Sequence, residues 1–218
     1  MRLVIVRHGQ STANAENRWQ GQMDFDLSSE GRKQAESLGA RFVSEGFRPK
    51  FVYSSPLKRA VHTAEISLPD KRVFEIDDLK ETGIGIFEGL TMEEARERHA
   101  GIAADFERSR NFGVVPEAES RYELRKRAET VVDFLVKGHH EVDEIAVFTH
   151  SGLMMFLVAV IMGTDRVWSL QIPNTSLFDF RMDNHAWKGR SSIGGTAGRV
   201  GQNGKFEIRR FADASHLI

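Results

Sequence analysis

The sequence predicts an α/β fold: a three-layer α/β/α sandwich in which helices cover both faces of a mostly parallel central sheet, with a small cap insertion. Short, continuously apolar runs such as Leu3–Val6 and Ile145–Phe148 are typical of strands that are covered on both faces. Segments with apolar residues at helical spacing alternate with these runs, as they do in βαβ units. The chain has 218 residues, 40% of them hydrophobic, so we expect one domain over residues 1–218.

Composition narrows the possible partners and chemistry. The 30 basic and 31 acidic residues give a formal net charge of −1, so no global field favours a nucleic acid or a membrane as partner. The absence of cysteine excludes disulfides, a thiolate nucleophile and a cysteine-ligated metal. The N-terminal apolar run is too short for a secretory signal, and Leu153–Met162 is much shorter than the ~20 residues of a membrane span. We therefore expect a cytoplasmic protein.

The first strand and helix place a histidine at a strand end. The strand Leu3–Val6 stops at Arg7, which puts His8 at its carboxyl end. After a polar loop, Ser28 or Ser29 can cap a helix that closes at Gly46. The apolar residues at helical spacing in this helix are Ala35, Leu38 and Phe42.

The second strand and helix place an arginine near a helix start. Phe51–Tyr53 indicates a strand, Ser55 is predicted as N-cap, and Pro56 is predicted as the first residue of a helix that continues through Leu57–Ile66. Arg59 then lies in the first turn, where the helix dipole disfavours a cation. A phosphate bound at this helix end explains Arg59 better than a purely structural role. Val73–Ile76 is the third strand candidate.

The middle of the chain holds the candidate cap. Thr91 and Glu94 form a capping box for a helix that runs toward His99. The stretch Gly101–Ser120 has weak periodicity and ends in a proline-containing loop. We expect a cap excursion over about residues 83–120.

The remaining elements complete the sheet. An amphipathic helix closes at Gly138 and is marked by Leu124, Ala128, Val131, Val132 and Leu135. Ser176–Phe180 and Lys205–Phe211 alternate apolar and polar residues, which predicts antiparallel edge strands around the glycine-rich stretch 189–204. The strand Ile145–Phe148 ends just before His150. Because ligands of parallel sheets bind beyond the carboxyl ends of the strands, we expect His8 and His150 at one site.

Four blocks of the chain resemble, in order, the histidine phosphatase superfamily, which also contains the cofactor-dependent phosphoglycerate mutases. The blocks are Arg7-His8-Gly9 with the residues up to Asn14, Tyr53–Ala60, Leu79–Glu81 with Gly85 and Glu88-Gly89, and Thr149–Gly152. A lone arginine-histidine-glycine tripeptide is a weak signal, whereas four ordered blocks are specific. The resemblance implies the phosphatase branch, with His8 as the nucleophile and Glu81 as general acid for the leaving oxygen and then general base for water.

The resemblance also implies residues that bind substrate or pack near it. The expected substrate-binding residues are Asn14, Gln20, Gly21 and Ser151. His216, in Ala214–Leu217, is similar to a C-terminal pattern of the family and is expected near the site.

Phosphoryl chemistry explains these residue types without the resemblance. A phosphoryl group needs hydrogen-bond donors around its oxygens and an in-line nucleophile. The donors are expected from Arg7, Arg59, His150 and Asn14, and the planar fork of arginine suits phosphate oxygens. Nearby guanidiniums should lower the pKa of His8 and keep its imidazole neutral, with the other ring nitrogen donating to the backbone.

The function that we expect is a phosphomonoester hydrolase of the histidine acid phosphatase type, with a phosphohistidine intermediate on His8 and a small phosphorylated metabolite as substrate. We expect no metal and no cofactor, because arginines neutralise the phosphate charge. Two alternatives stay open: a cofactor-dependent phosphoglycerate mutase and a noncatalytic phosphate-binding protein. Thr82–Ile86 lacks the basic residues that the mutases carry after the catalytic glutamate, which favours the phosphatase. The sequence leaves the physiological substrate and the oligomeric state open.

Overall fold

A six-stranded sheet forms the centre of the computed structural model, which describes residues 1–167, 170–183 and 207–217. The strands are β1 (Arg2–Arg7), β2 (Phe51–Ser54), β3 (Val73–Glu75), β4 (Glu144–Thr149), β5 (Leu177–Arg181) and β6 (Glu207–Asp213). The helices are α1 (Thr12–Ala15), α2 (Ser29–Ser44), α3 (Lys58–Ser67), α4 (Met92–Arg98), α5 (Ala100–Ser109), α6 (Arg121–Gly138) and α7 (Ser151–Ile161). The described helices do not include one long and apolar enough to cross a membrane.

The sheet is mostly parallel, as predicted. Its strand order is β3-β2-β4-β1-β5-β6. The strands from β3 to β1 pair in parallel, and β5 and β6 add an antiparallel edge beside β1. The glycine-rich stretch 189–204 lies outside the described residues.

Alternating side chains of the central strands pack against helices on both faces of the sheet, which confirms the predicted α/β sandwich. On β1, Leu3 and Ile5 belong to a buried cluster that includes α6 and α7. Val4 and Val6 point to the opposite face and join a cluster with residues of α2 and α3. Because both faces are buried, β1 is apolar at four consecutive positions.

Local capping signals fix two helix starts and fail at a third. The Ser28 side chain caps α2, and Thr91 with Glu94 forms the predicted capping box of α4. The prediction for α3 is wrong, because this helix begins at Lys58 and neither Ser55 nor Pro56 starts it. The Ser55 hydroxyl is instead hydrogen-bonded to the backbone of Leu57 and to the ring of His150.

The cap segment, residues 83–120, contains more helix than its weak periodicity indicates. It holds α4 and α5 and two 3-10 turns. Its buried cluster is separate from those of the sheet and comprises Ile84, Phe87, Leu90, Ala95, Ala103, Phe106 and Val115. The sequence indicates Thr12–Ala15 as part of a polar loop. In the structure it is a short helix whose N-terminus is capped by a Ser11–Asn14 capping box.

Candidate active site

Strand register brings the predicted polar residues together at the carboxyl edge of the sheet. Arg7 on β1 is level with Thr149 on β4, so His8 and His150 follow as neighbours. The backbone N–H of His8 donates to the carbonyl of Thr149 over 2.9 Å. The two imidazole rings lie with centroids 5.0 Å apart. The prediction that both histidines meet at this edge is therefore correct.

His8 is held in one tautomer. Its side chain is buried, and its Nδ1 lies 2.6 Å from the carbonyl oxygen of Gly9. Because a carbonyl only accepts, Nδ1 carries the proton, and Nε2 has the free lone pair. Burial, followed by repulsion from Arg59 and Arg7, places the pKa of His8 well below its usual 6.5. The expected neutral imidazole thus follows more from burial than from the arginines.

Arg59 and His150 lie behind His8. The fully buried Arg59 donates through Nε to Nδ1 of His150 over 3.2 Å, and its other nitrogens donate to the carbonyls of Gly21 and Met23. Nε2 of His150 is 2.8 Å from the hydroxyl of Ser55. Burial, with Arg59 and His8 adding repulsion, also holds the pKa of His150 well below 6.5. Burial lowers the pKa of Arg59 to about 10, so it keeps its charge at neutral pH.

A cleft of about 420 Å³ opens in front of His8. Its wall includes Arg7, Glu81 and all four residues expected to bind substrate, which are Asn14, Gln20, Gly21 and Ser151. Among the described residues, Arg59 and His150 are not part of this wall. The charge of Arg59 and the dipole of His150 therefore act on a ligand from behind the side chains that line the cleft.

Arg7 has a buried donor that nothing satisfies. One terminal nitrogen of its guanidinium donates to the carbonyl of Ile172. Its Nε is the one buried side-chain polar atom without a hydrogen-bond partner in the part of the chain that the structure describes. An unpaired buried donor is destabilising. The Arg7 side chain also lines the cleft, so a ligand there can meet its guanidinium. Burial also lowers the pKa of Arg7, against the opposing attraction of Glu81.

Glu81 is fixed at the start of α7. Its carboxylate accepts hydrogen bonds from the backbone N–H groups of Thr82, Gly152 and Leu153. Arg127 supports it from the other side, by donating to the backbone carbonyl of Glu81 and pairing with Glu119 over 2.6 Å. The carboxylate thus has a defined position on the cleft wall.

The amides expected to bind substrate have defined orientations. Oδ1 of Asn14 accepts from the backbone of Ser11, and Oε1 of Gln20 accepts from the Ser11 hydroxyl. Their amide N–H groups are thus the groups available to a ligand in the cleft. Gly21 has a φ of 50°, a conformation that favours glycine, and turns its carbonyl toward Arg59.

Sequence reasoning missed several residues around the site. Asn174 donates to the backbone carbonyl of His8 over 3.0 Å, and the N–H of Thr175 donates to the same oxygen. His216 contacts the Thr175 hydroxyl over 2.9 Å, which agrees with its expected place near the site. Arg110 and Arg121 line the cleft from the cap segment and from the first turn of α6. No local pattern marks Asn174, Arg110 or Arg121, because their roles depend on contacts distant in sequence.

The described residues include no group of three or more histidine, aspartate or glutamate side chains that could hold a metal ion. The fold and site define an α/β protein with a buried, neutral imidazole at the carboxyl edge of its parallel strands, facing a cleft that the Arg7 side chain also lines. A family model with the description "Histidine phosphatase superfamily (branch 1)" matches residues 3–192. The chain belongs to this superfamily.

Relatives and solved structures agree with this membership. A metal-independent phosphoserine phosphatase of Arabidopsis thaliana is 36% identical over 156 residues, which are 70% of this chain and 65% of that protein, just under two thirds. Phosphoglycerate mutase-like protein 4 of the same plant is 33% identical over 85% of this chain and 81% of its own length. Bacillus stearothermophilus YhfR superposes with a TM-score of 0.80 at 26% identity, over 100% of this chain and 99% of that one.

Proposed function

We propose that this protein is a metal-independent phosphomonoester hydrolase that transfers a phosphoryl group first to Nε2 of His8 and then to water. The observation that carries the proposal is the tautomer of His8. The Gly9 carbonyl fixes the proton on Nδ1, and burial keeps the ring neutral, so a nucleophilic lone pair faces the cleft. The named activities of the relatives, phosphoserine phosphatase among them, support a phosphatase.

The first step makes a phosphohistidine. The P–O bond to the leaving group breaks as the P–Nε2 bond forms, and the leaving oxygen takes a proton from the protonated carboxyl of Glu81. The guanidinium of Arg7 and the amide N–H groups of Asn14 and Gln20 bind the nonbridging oxygens. Because Arg59 lies directly behind this layer, its charge adds to the stabilisation of the anion.

The second step regenerates the enzyme. Glu81, now a carboxylate, accepts a proton from water as the water oxygen attacks phosphorus and the P–Nε2 bond breaks. Inorganic phosphate then leaves. Two guanidiniums supply the charge neutralisation that a metal ion supplies in other phosphoryl-transfer sites, so turnover in the presence of EDTA is expected to be undiminished.

The mutase alternative has a structural observation in its favour, besides the mutase-like name of one relative. Thr82–Ile86 offers no basic residue beside Glu81, but Arg110 and Arg121 reach the cleft from other parts of the chain and could meet a second anion. A mutase would exchange 3- and 2-phosphoglycerate in the presence of a bisphosphorylated primer, without net release of phosphate.

The test compares wild type with His8→Ala. We expect wild type to release phosphate from phenyl phosphate and to form an acid-labile, base-stable phosphoprotein. We expect His8→Ala to lose at least about 10³-fold in kcat and all labelling. The matched control is His140→Ala, which changes an exposed histidine outside the cleft and should keep full activity. Mutase exchange without phosphate release, or an active His8→Ala protein, would contradict the proposal.

A further inference from the structure

The wall of the cleft carries two arginines that the phosphoryl-transfer scheme does not use. Arg110 ends α5 and Arg121 begins α6, and both line the cleft that His8 faces. Neither forms an ion pair with any residue that the structure describes. Two cations without anionic partners in the described structure therefore face the space that a leaving group would fill.

Local structure does not explain either arginine. Arg110 has φ 51° and ψ 31°, a left-handed conformation that glycine or asparagine adopts more easily. Arg121 is the first residue of α6, where the helix dipole disfavours a positive charge. Residues that break local preferences are concentrated at functional sites. Both arginines break such a preference and both line the same cleft.

The carboxylates on the cleft wall do not neutralise these cations. Glu119 is paired with Arg127, and Glu81 accepts three backbone hydrogen bonds. Arg18, another cation on the wall, is paired with Glu94. Arg110 and Arg121 therefore add unpaired positive charge to the cleft wall.

The wall of the cleft also carries an apolar surface. The side chains that form it are Trp19, Phe112, Leu124, Met155, Phe156 and Val167. The guanidinium of Arg121 lies 5.8 Å from the centroid of the Phe156 ring, which places a cation at the border of this surface. A ligand that fills the cleft therefore meets both cations and apolar side chains.

We infer that the leaving group of the substrate has an apolar body and a second anionic group, which Arg110 and Arg121 bind. This inference rests on the proposed function, because the phosphoryl group at His8 fixes which end of the ligand enters first. The anion pairs with cations that have no anionic partner in the described structure, and the apolar body displaces water from the apolar side chains of the wall. The substrate class is a phosphate monoester of an aryl- or branched-alkyl-sized alcohol that carries a carboxylate.

Three aryl phosphates test the inference: phenyl phosphate, 4-carboxyphenyl phosphate and 4-(aminomethyl)phenyl phosphate. They are compared on wild type and on the double variant Arg110→Asn/Arg121→Gln, whose asparagine tolerates the left-handed backbone. We expect the variant to lose about tenfold in kcat/KM on the carboxylate, through KM, and to keep its activity on phenyl phosphate. Activity on the cationic ester should rise. For each ester, the kcat/KM of the variant is divided by the kcat/KM of wild type. This ratio cancels differences in leaving-group reactivity between the esters.

The matched control is Arg108→Gln. Arg108 is another exposed arginine of α5, but it is paired with Asp105 and lies outside the cleft wall. We expect it to leave all three ratios unchanged. Equal losses on all three esters, or no loss on the carboxylate, would overturn the inference while phosphate release still supported the phosphatase.

A binding measurement separates the inference from the proposed function. Calorimetry of 4-carboxyphenyl phosphate with His8→Ala protein should show an affinity that the two added arginine changes weaken by about tenfold. If wild type hydrolyses none of the esters but this binding persists, the phosphatase proposal fails and the anion site stands. An affinity that does not depend on the arginines would contradict the site whatever the activity.

Discussion

The position of the Glu81 carboxylate depends on the absence of a side chain at residue 152. Gly152 donates its N–H to the carboxylate in the first turn of α7. A Cβ at this position would overlap both Oε1 of Glu81 and the hydroxyl of Thr82. The carboxylate would have to move out of the place where three backbone N–H groups hold it.

Gly152→Ala is therefore expected to lower kcat by about 10²-fold, because general acid–base catalysis depends on the position of the proton donor. KM for phenyl phosphate should change little, since the phosphate donors are untouched. Steady-state kinetics measures both. The control is Gly101→Ala in α5, where an added Cβ meets nothing within 4 Å. This control should keep full activity and gain up to about 1 kcal/mol of stability. Full kcat in Gly152→Ala would remove Glu81 from the mechanism.

Residue-level prediction from sequence succeeds for side chains that directly follow a strand and is incomplete for those whose direction depends on distant partners. His8 and His150 follow the ends of neighbouring strands, so their meeting could be predicted. The turn of Arg59 toward His150 depends on the carbonyls of Gly21 and Met23, 38 and 36 residues away. Nothing near Arg59 in the sequence signals those acceptors.

At the scale of elements, the cap segment and the cleft share aromatic side chains. Trp19 stacks on Phe87 at 5.3 Å between ring centroids and meets the edges of Phe106 and Phe112 at 5.1 and 5.8 Å. Trp19 and Phe112 also line the cleft. Loosening the cap cluster should therefore change how the leaving group binds without changing the phosphate site.

Phe106→Ala tests this connection. Removing a buried phenyl ring lowers stability by about 3–5 kcal/mol, and we expect the cap segment to be the part that is destabilised. We expect KM for phenyl phosphate to rise several-fold, while the inhibition constant of inorganic phosphate, which has no leaving group, stays unchanged. Hydrogen exchange should increase in residues 83–120. The control is Phe134→Ala on α6, whose side chain is half exposed and lies away from the cleft. If the inhibition constant of inorganic phosphate rose as much as KM, the cap and the phosphate site would be one cooperative unit.

Element boundaries follow from the sequence where the signal is local. Ser28 and Thr91 cap helices through N–H groups three residues ahead, so their patterns could be recognised. The start of α3 could not, because the N–H of Lys58 donates to Asp24, 34 residues earlier. Helix α5 buries only Ala103 and Phe106, which explains why its periodicity is weak.

At the scale of the whole molecule, the sequence predicts layers and the functional edge but not strand order. Apolar runs alternating with helical patterns are sufficient to predict a parallel sheet. They do not predict its strand order, because the observed place of β4 between β1 and β2 is one of several possible orders. That order brings the ends of β1, β2 and β4 together. The N–H groups of His8 and Ser55 donate to consecutive carbonyls at the end of β4, Thr149 and Phe148. The candidate active site is thus a property of the complete sheet.

The neutral histidines of this site connect it to global stability. The pKa values of His8 and His150 are well below 6.5, mainly because of burial, and burial also lowers the pKa of His216. The unfolded chain takes up these protons below about pH 6.5, and the folded chain does not. Protonation therefore favours unfolding, and stability is fully present above the unfolded pKa and decreases as the pH falls below it.

We predict that the free energy of unfolding decreases between pH 6.5 and 5, by up to about 2.7 kcal/mol per pH unit from His8 and His150 together. Carboxylates titrate mostly below about pH 4.5, so this window isolates the histidines. Urea denaturation at several pH values measures the slope, and a constant m value shows that the exposed surface does not change. His150→Gln removes one titrating group and should reduce the slope by up to about 1.4 kcal/mol per pH unit, whatever its effect on stability at pH 7.5. A flat pH dependence in wild type would mean that both imidazoles take up protons as readily in the folded state as in the unfolded chain, which would contradict the lowering of their pKa values by burial.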